Sequence, residues 1–466
     1  MMRSDAPAGL RGRRHLACAV AVLVCTTAAQ PATARAQEPD RNERHRVPAD
    51  FMSFRGAQWL ERAERLQEEQ PEAVLDAMAL ESGDVVADIG CGSGYYARRM
   101  APRVAPEGRV YCVDIQQEML DFMQQLTDRD GVTGIVPVLG DVDDPKLPDG
   151  EVDWIILADV YHEMSEHEAM LARMRASLAP GGRVALLEYR IEDGTGDNMK
   201  SDHTMSVRQV LAEWLPAGFA LVDLHEFLPG QHLFIMKAAG DAEVPGDPIV
   251  NLDLFEALDQ ELVEAEAVGA GDTSVTVRIR NTRDDKLVVT MPAGVFFRAA
   301  GDSRDMVSRR EAVIRLFDGE WHDWAVRSVG RQRDRLASGP TDRFTLELPE
   351  SLPELDALIY AMQVGTYRVA DSPLLYIPRT HGVEQAAVWI AGENRGYNDI
   401  AAAAAVQDER LPTQYAVAFA LVYCDLAGLD VTRTRIWEDR ERVFGRLRDQ
   451  GLTTWYQLKT TGGTQQ

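Results

Sequence analysis

One unit recurs through the first half of this chain: a short apolar run that closes on an acid, followed by apolar positions three and four apart. The runs cover residues 85–88, 109–114, 136–141 and 152–159, closing on Asp88, Asp114, Asp141 and Asp159. Residues 178–188 read as a helix end, a Pro180-Gly181-Gly182 turn and a fifth strand closing on Glu188. Strands alternating with helices predict an α/β fold with a parallel, doubly wound sheet. Such sheets bind ligands outside the carboxyl ends of their strands, and all five acids fall at that edge. Residues 219–227 and 231–237, turned by Leu228-Pro229-Gly230, read as a hairpin. Ahead of the first strand, residues 51–71 read as a helical stretch rich in Glu, Arg and Gln, with Phe54, Trp59 and Leu60 as apolar points. Trp59 is read as a packing residue.

The pattern changes after a linker at 239–248. Period-two runs at 261–265, 274–280, 286–290, 294–297 and 344–348 predict a β-sandwich domain over 249–350. Residues 275–282 resemble strands of immunoglobulin-like envelope modules. From about Pro353 the spacing turns helical, notably over 385–391, 412–426 and 432–450, giving a small helical region at 351–466. No metal-spaced cluster and no nucleophile–base pair stands out there. The second half therefore reads as a module that covers the first or binds a partner, with an envelope protein as the candidate.

The candidate chemistry lies just after the first strand, in Asp88-Ile89-Gly90-Cys91-Gly92-Ser93-Gly94-Tyr95. Glycines allow a sharp turn and close backbone approach to a ligand, and the following helix presents free N–H groups. The dinucleotide fingerprint is G-x-G-x-x-G. Here Tyr95 stands in place of its third glycine, so the loop is less suited to a pyrophosphate than to S-adenosylmethionine. Asp114, 20 residues after Gly94, falls where a ribose-binding acid belongs.

In this ordered motif set the chain resembles the class I S-adenosylmethionine-dependent methyltransferases, in particular the ubiquinone and menaquinone methyltransferase branch, over residues 51–238. The resemblance implies a Rossmann-like doubly wound sheet whose last strand inserts antiparallel beside the fifth. It implies that Asp88, Gly90, Cys91, Gly92 and Gly94 hold the methionine end of the cofactor, with Asp159 near it. Asp114 would bind the ribose hydroxyls, Ile115 would face the adenine, and Asp141 and Val142 would meet it. The segment before the first motif would close over cofactor and substrate.

Composition narrows the partners. The 466 residues carry 74 acids and 49 bases, a net charge of −25, which argues against a nucleic-acid substrate. Residues 1–36 read as a secretory signal peptide: a basic start, an apolar stretch and Ala34-Arg35-Ala36 before Gln37, with 37–50 as linker. Export to the periplasm or beyond is the expected address, with no transmembrane segment in the mature chain. Once Cys18 and Cys25 leave with the signal, Cys91, Cys112 and Cys424 remain; buried free thiols are expected, although Cys91 and Cys112 fall near adjacent strands.

Methyl transfer needs an aligned nucleophile and, for some acceptors, a base. The fourth strand runs into Tyr161-His162-Glu163, the hairpin returns His232 to the same edge, and Asp202-His203-Thr204 precedes a helix it is placed to cap. His162, His203 and His232 with Glu163 and Glu188 are thus candidates to converge. As a cluster they suit a general base, a metal such as zinc, or polar groups satisfying one another; no metal is assigned. The expected function is methyl transfer from S-adenosylmethionine to a small-molecule acceptor. The alternative is an exported ligand-binding or envelope interaction protein with a catalytically silent methyltransferase-like domain.

Overall fold

The computed structural model describes residues 48–192, 194–240, 249–348, 353–367, 369, 375–405 and 413–461. The expected signal peptide and most of both expected linkers lie outside the described residues. Seven strands form the first sheet: β1 (Val85–Ile89), β2 (Arg109–Asp114), β3 (Ile135–Leu139), β4 (Val152–Ala158), β5 (Leu178–Tyr189), β6 (Phe219–His225) and β7 (Gln231–Ala238). Their order is β3-β2-β1-β4-β5-β7-β6. The first five run parallel, and β7 inserts antiparallel between β5 and β6, as the resemblance implies.

Alternation along the strands feeds two cores. Val86, Val110 and Ile156 pack with Val74, Leu75, Met100 and Met123 from helices on one face. Ala87, Ile155 and Leu157 pack with Leu171, Met174, Leu211 and Trp214 on the other. The reversal of strand order between β1 and β4 opens the crevice at their carboxyl ends, which is where ligands bind in such sheets.

The stretch at 51–71 is not one helix. A 3-10 helix, Phe54–Glu61, gives way to a single turn, Arg65–Glu68, and then to Pro71–Met78. Gln70 adopts φ 43° there, and Pro71 has no N–H to continue a preceding helix. Trp59 is also not in the core: it is 55% exposed, with the Arg62 guanidinium 3.5 Å above its ring.

Beyond the first sheet come β8 (Ile249–Asp253), β9 (Val263–Gly269), β10 (Ser274–Asn281), β11 (Lys286–Met291), β12 (Phe296–Ala299), β13 (Met306–Ser308), β14 (Ala312–Leu316), β15 (His322–Gly330) and β16 (Arg343–Glu347). The expected two-sheet sandwich is replaced by a closed barrel, β10-β15-β13-β12-β16-β9, beside a three-stranded sheet, β14-β11-β8. Closure follows from β9, which pairs with both β10 and β16, and leaves the barrel without an edge. Helices Pro353–Val364, His381–Glu393, Tyr397–Ala405, Thr413–Leu426 and Gln450–Thr461 follow. The helix expected over 432–450 is two short pieces, Arg435–Glu438 and Arg440–Phe444, and the next helix begins where it was expected to end.

The cores cross the expected domain boundaries. Val288 of β11 packs into the core on the second face of the first sheet, and Phe296, Val307 and Val329 of the barrel pack with the C-terminal helices.

Candidate active site

The glycine loop is fixed by backbone bonds before any ligand arrives. The Gly90 and Cys91 N–H groups both donate to the Val113 carbonyl, at 2.8 and 3.0 Å. The Gly92 N–H donates to Asp114 Oδ2 at 3.0 Å, while Oδ1 accepts from Gln116 N–H at 2.9 Å. Asp114 thus ties the second strand to the loop. Gly90, Gly92 and Gly94 have φ of 71°, 51° and 73°, a region L side chains avoid. A Cβ on Gly90 would also collide with Val160.

Cys91 is not the free thiol expected. It forms a disulfide with Cys112, with Cα atoms 5.4 Å apart. The parallel register sets Asp88 beside Cys112, and the loop turns back over β2 so that Cys91 meets it. Cys424 is free and buried, as expected.

Asp88 accepts from the Ala97 N–H at 3.0 Å, at the start of helix Ala97–Val104. Burial pushes its carboxyl up to about 7 despite that bond and the Arg65 charge. Asp159, at φ 54°, receives both of its 2.8 Å bonds from Gln231 Nε2. Burial, with the charges of Glu69 and Glu188, holds it well above the usual carboxylate range. Gln231 Oε1 is buried and has no hydrogen-bond partner. Ile115 and Val142 are exposed, and Asp141 pairs with Lys146 at 2.8 Å on the outer rim.

His162 sits against Glu188: its N–H donates to Oε1 at 3.1 Å, and its Nδ1 lies 2.7 Å from Oε2. Burial alone would lower its pKa, but Glu188 raises it to about 9. The His203 ring lies 5.0 Å from the His162 ring. Burial pushes the Glu163 carboxyl up to about 7. These three groups converge. Two other candidates do not join them. Tyr161 is fully buried, donates to Glu213 at 2.7 Å and packs edge-on against Trp214. His232 has both ring nitrogens engaged, Nε2 with Glu192 at 2.8 Å and Nδ1 with Glu226 at 2.7 Å. Burial opposes its charge, yet the two carboxylates push its pKa up to about 10. Asp202 and Thr204 do not cap the next helix; Ser206 Oγ does, accepting from Gln209 N–H at 3.1 Å. Among the described residues no group of three or more His, Cys, Asp or Glu is arranged to hold a metal.

The segment before β1 straps this edge. Ala49 N–H donates to the His162 carbonyl at 3.1 Å, Gln116 bonds Met52 and Phe54, and Ser93 donates to Glu61 at 2.6 Å. Glu69, which no sequence signal singled out from its charged neighbours, adds a buried acid paired with Arg65 at 2.5 Å. Burial pushes the carboxyls at Asp88, Asp159 and Glu163 upward despite the Arg65 and His162 charges, and a cation bound beside them would favour their charged forms. S-adenosylmethionine carries a sulfonium and an ammonium, and the unpartnered Gln231 Oε1 is an acceptor suited to the latter. The residues present therefore fit this cofactor.

Residues 86–182 match the family described as methyltransferase domain. A 37.1 kDa protein of transposon Tn4556 from Streptomyces fradiae is 32% identical over 115 residues, 25% of this chain and 33% of the relative. The ubiquinone/menaquinone biosynthesis C-methyltransferase of Cupriavidus pinatubonensis is 34% identical over 108 residues, 23% of this chain and 44% of the relative. A solved S-adenosylmethionine-dependent methyltransferase from Aquifex aeolicus is 23% identical, covers 40% of this chain and 98% of its own, and superposes with a TM-score of 0.38. The match over residues 86–182 and the identity to a C-methyltransferase support a class I S-adenosylmethionine-dependent methyltransferase family for this part of the chain, and S-adenosylmethionine is the cofactor of that class. The chain spans less than half the length of these curated relatives.

Proposed function

We propose that this protein transfers a methyl group from S-adenosylmethionine to a small-molecule acceptor at the carboxyl edge of β1, β2, β4 and β5. The observation that carries the reading is the conjunction of the hydrogen-bonded glycine loop, Asp114 at the end of β2 and the buried carboxyls beside the unpartnered Gln231 Oε1. Asp159 and Gln231 would hold the methionine end, Asp114 the ribose, and Ile115 with Val142 the adenine. The cofactor supplies an activated methyl group for in-line displacement. Glu163, with its carboxyl near 7, takes the acceptor's proton at neutral pH. His162, kept protonated by Glu188, balances the neighbouring acids and fixes the edge on which the acceptor lies.

Calorimetric titration with S-adenosylmethionine tests the cofactor site. Micromolar binding is expected, weakened about 10- to 100-fold in Asp114→Ala, the equivalent of about 1.5–3 kcal/mol for a hydrogen bond to a charged group. Methyl release is then followed over a panel of small acceptors. No binding by correctly folded protein would overturn the assignment.

Export is part of the proposal. The support, beyond the basic-apolar leader, is the Cys91–Cys112 bridge, since disulfides persist in oxidising compartments and are rare elsewhere. Fractionation of the producing cells, with thiol labelling of each fraction, checks it; a wholly cytoplasmic, reduced protein would refute it.

A further inference from the structure

The loop between β5 and helix Val207–Trp214 carries His203 to the acceptor edge, and it is held from the second half of the chain. Asp197 receives Arg310 Nε and Nη2, both at 3.1 Å, and Arg309 Nη2 at 3.3 Å, from the turn between β13 and β14. Arg379 donates to the Gly196 carbonyl at 2.6 Å and to Thr204 Oγ1 at 3.2 Å. Tyr376 donates its hydroxyl to Asp202 Oδ2 at 2.8 Å, and Lys200 lies 5.2 Å over its ring. The other Asp202 oxygen, Oδ1, is 2.7 Å from His203 Nδ1. The His203 ring then meets His162, which rests on Glu188. A continuous chain of contacts thus runs Tyr376–Asp202–His203–His162–Glu188, beginning some 170 residues beyond the loop it steadies.

We propose that Tyr376 is a positioning residue for the methyltransferase site. Through Asp202 it fixes which nitrogen of His203 carries the proton and how that ring lies against His162. Its relevance to catalysis rests on the proposal that this edge receives the acceptor. The physical case is that a carboxylate with one occupied oxygen is free to rotate, whereas one bonded at both oxygens in different directions is not. Tyr376 is itself held on a short antiparallel pair, Thr366–Tyr367 with Leu375–Tyr376, and Ile377 N–H donates to the Gly365 carbonyl at 2.9 Å. A loop histidine is thereby oriented from a paired strand, the kind of support that gives a site its precision.

The test uses the full chain labelled with 15N-histidine, with His203 assigned through His203→Gln. Spectra are taken over a pH series and compared where the wild-type His203 signals themselves report a neutral ring. The wild type should show His203 as the Nδ1–H tautomer. Tyr376→Phe should give a mixture of tautomers at His203 and shifted His162 signals, with S-adenosylmethionine affinity unchanged within about twofold. For any acceptor the wild type methylates, kcat should fall about tenfold or more while KM for the cofactor holds. Should Tyr376→Phe fail to fold, Asp202→Asn must produce the same change at His203. Wild-type signals at both His203 and His162 in the folded variant would overturn the proposal. Failure of the wild type to bind the cofactor would instead overturn the functional reading, leaving the spectra to decide the role of Tyr376.

Discussion

Replacing Cys91 and Cys112 together by alanine should cost stability and leave cofactor binding nearly intact. The two cysteines are 21 residues apart in sequence. Closing a loop of that length removes chain entropy from the unfolded state worth about 3 kcal/mol at room temperature. Alanine is the better probe than serine, because both sites are buried and an unpartnered hydroxyl there would add about 1–3 kcal/mol of its own. The loop, however, does not depend on the bridge for its shape. The Gly90 and Cys91 N–H groups still reach the Val113 carbonyl, and Gly92 still reaches Asp114. The dissociation constant for S-adenosylmethionine should therefore change by less than about tenfold, under 1.4 kcal/mol. Urea unfolding followed by tryptophan fluorescence reads the first quantity and calorimetry the second. An unchanged unfolding free energy would refute the loop-closure argument. A stable variant that no longer binds the cofactor would refute the claim that backbone hydrogen bonds shape the loop.

Turnover should rise with pH through about 7 as Glu163 loses its proton, and Glu163→Gln should remove that limb with little change in cofactor affinity; a pH-independent wild-type rate would exclude Glu163 as base. His162→Ala should lower turnover far more than cofactor affinity, and equal losses in both would remove its catalytic role. His232 acts on stability instead. Its folded pKa is raised from 6.5 to about 10, so its contribution is complete below pH 6.5 and is lost as pH climbs through about 10. His232→Gln, which leaves Glu192 and Glu226 without their cation, should cost about 3–5 kcal/mol at pH 6.5 and distinctly less at pH 10 in chemical denaturation. A difference that is the same at both pH values would refute the ion-pair account.

The parallel sheet and the glycine loop at its carboxyl edge were legible in the sequence because both are local. A strand period, an acid at the strand's end and a glycine loop each occupy a few consecutive residues, and the rule that ligands bind at the carboxyl edge converts their order into a site. The places of Asp88, Asp114 and the three glycines at that edge follow from that alone. What the sequence could not settle depends on directions and partners that arise only when distant segments meet. His162 and His232 have similar sequence contexts at strand ends. One ring stays at the mouth beside Glu188, while the other is locked between Glu192 and Glu226. Tyr161, one residue before His162, turns instead into the core against Trp214, because neighbouring side chains of that turn point to different faces. The Cys91–Cys112 bridge needed the fold-back of the loop over β2, and the barrel needed β9 to find β16 across some 75 residues. Periodicity specifies which face of a strand is buried, but not which strand will cover its edge. That choice, like the hold of Tyr376 on Asp202, is made by the tertiary packing of the whole chain.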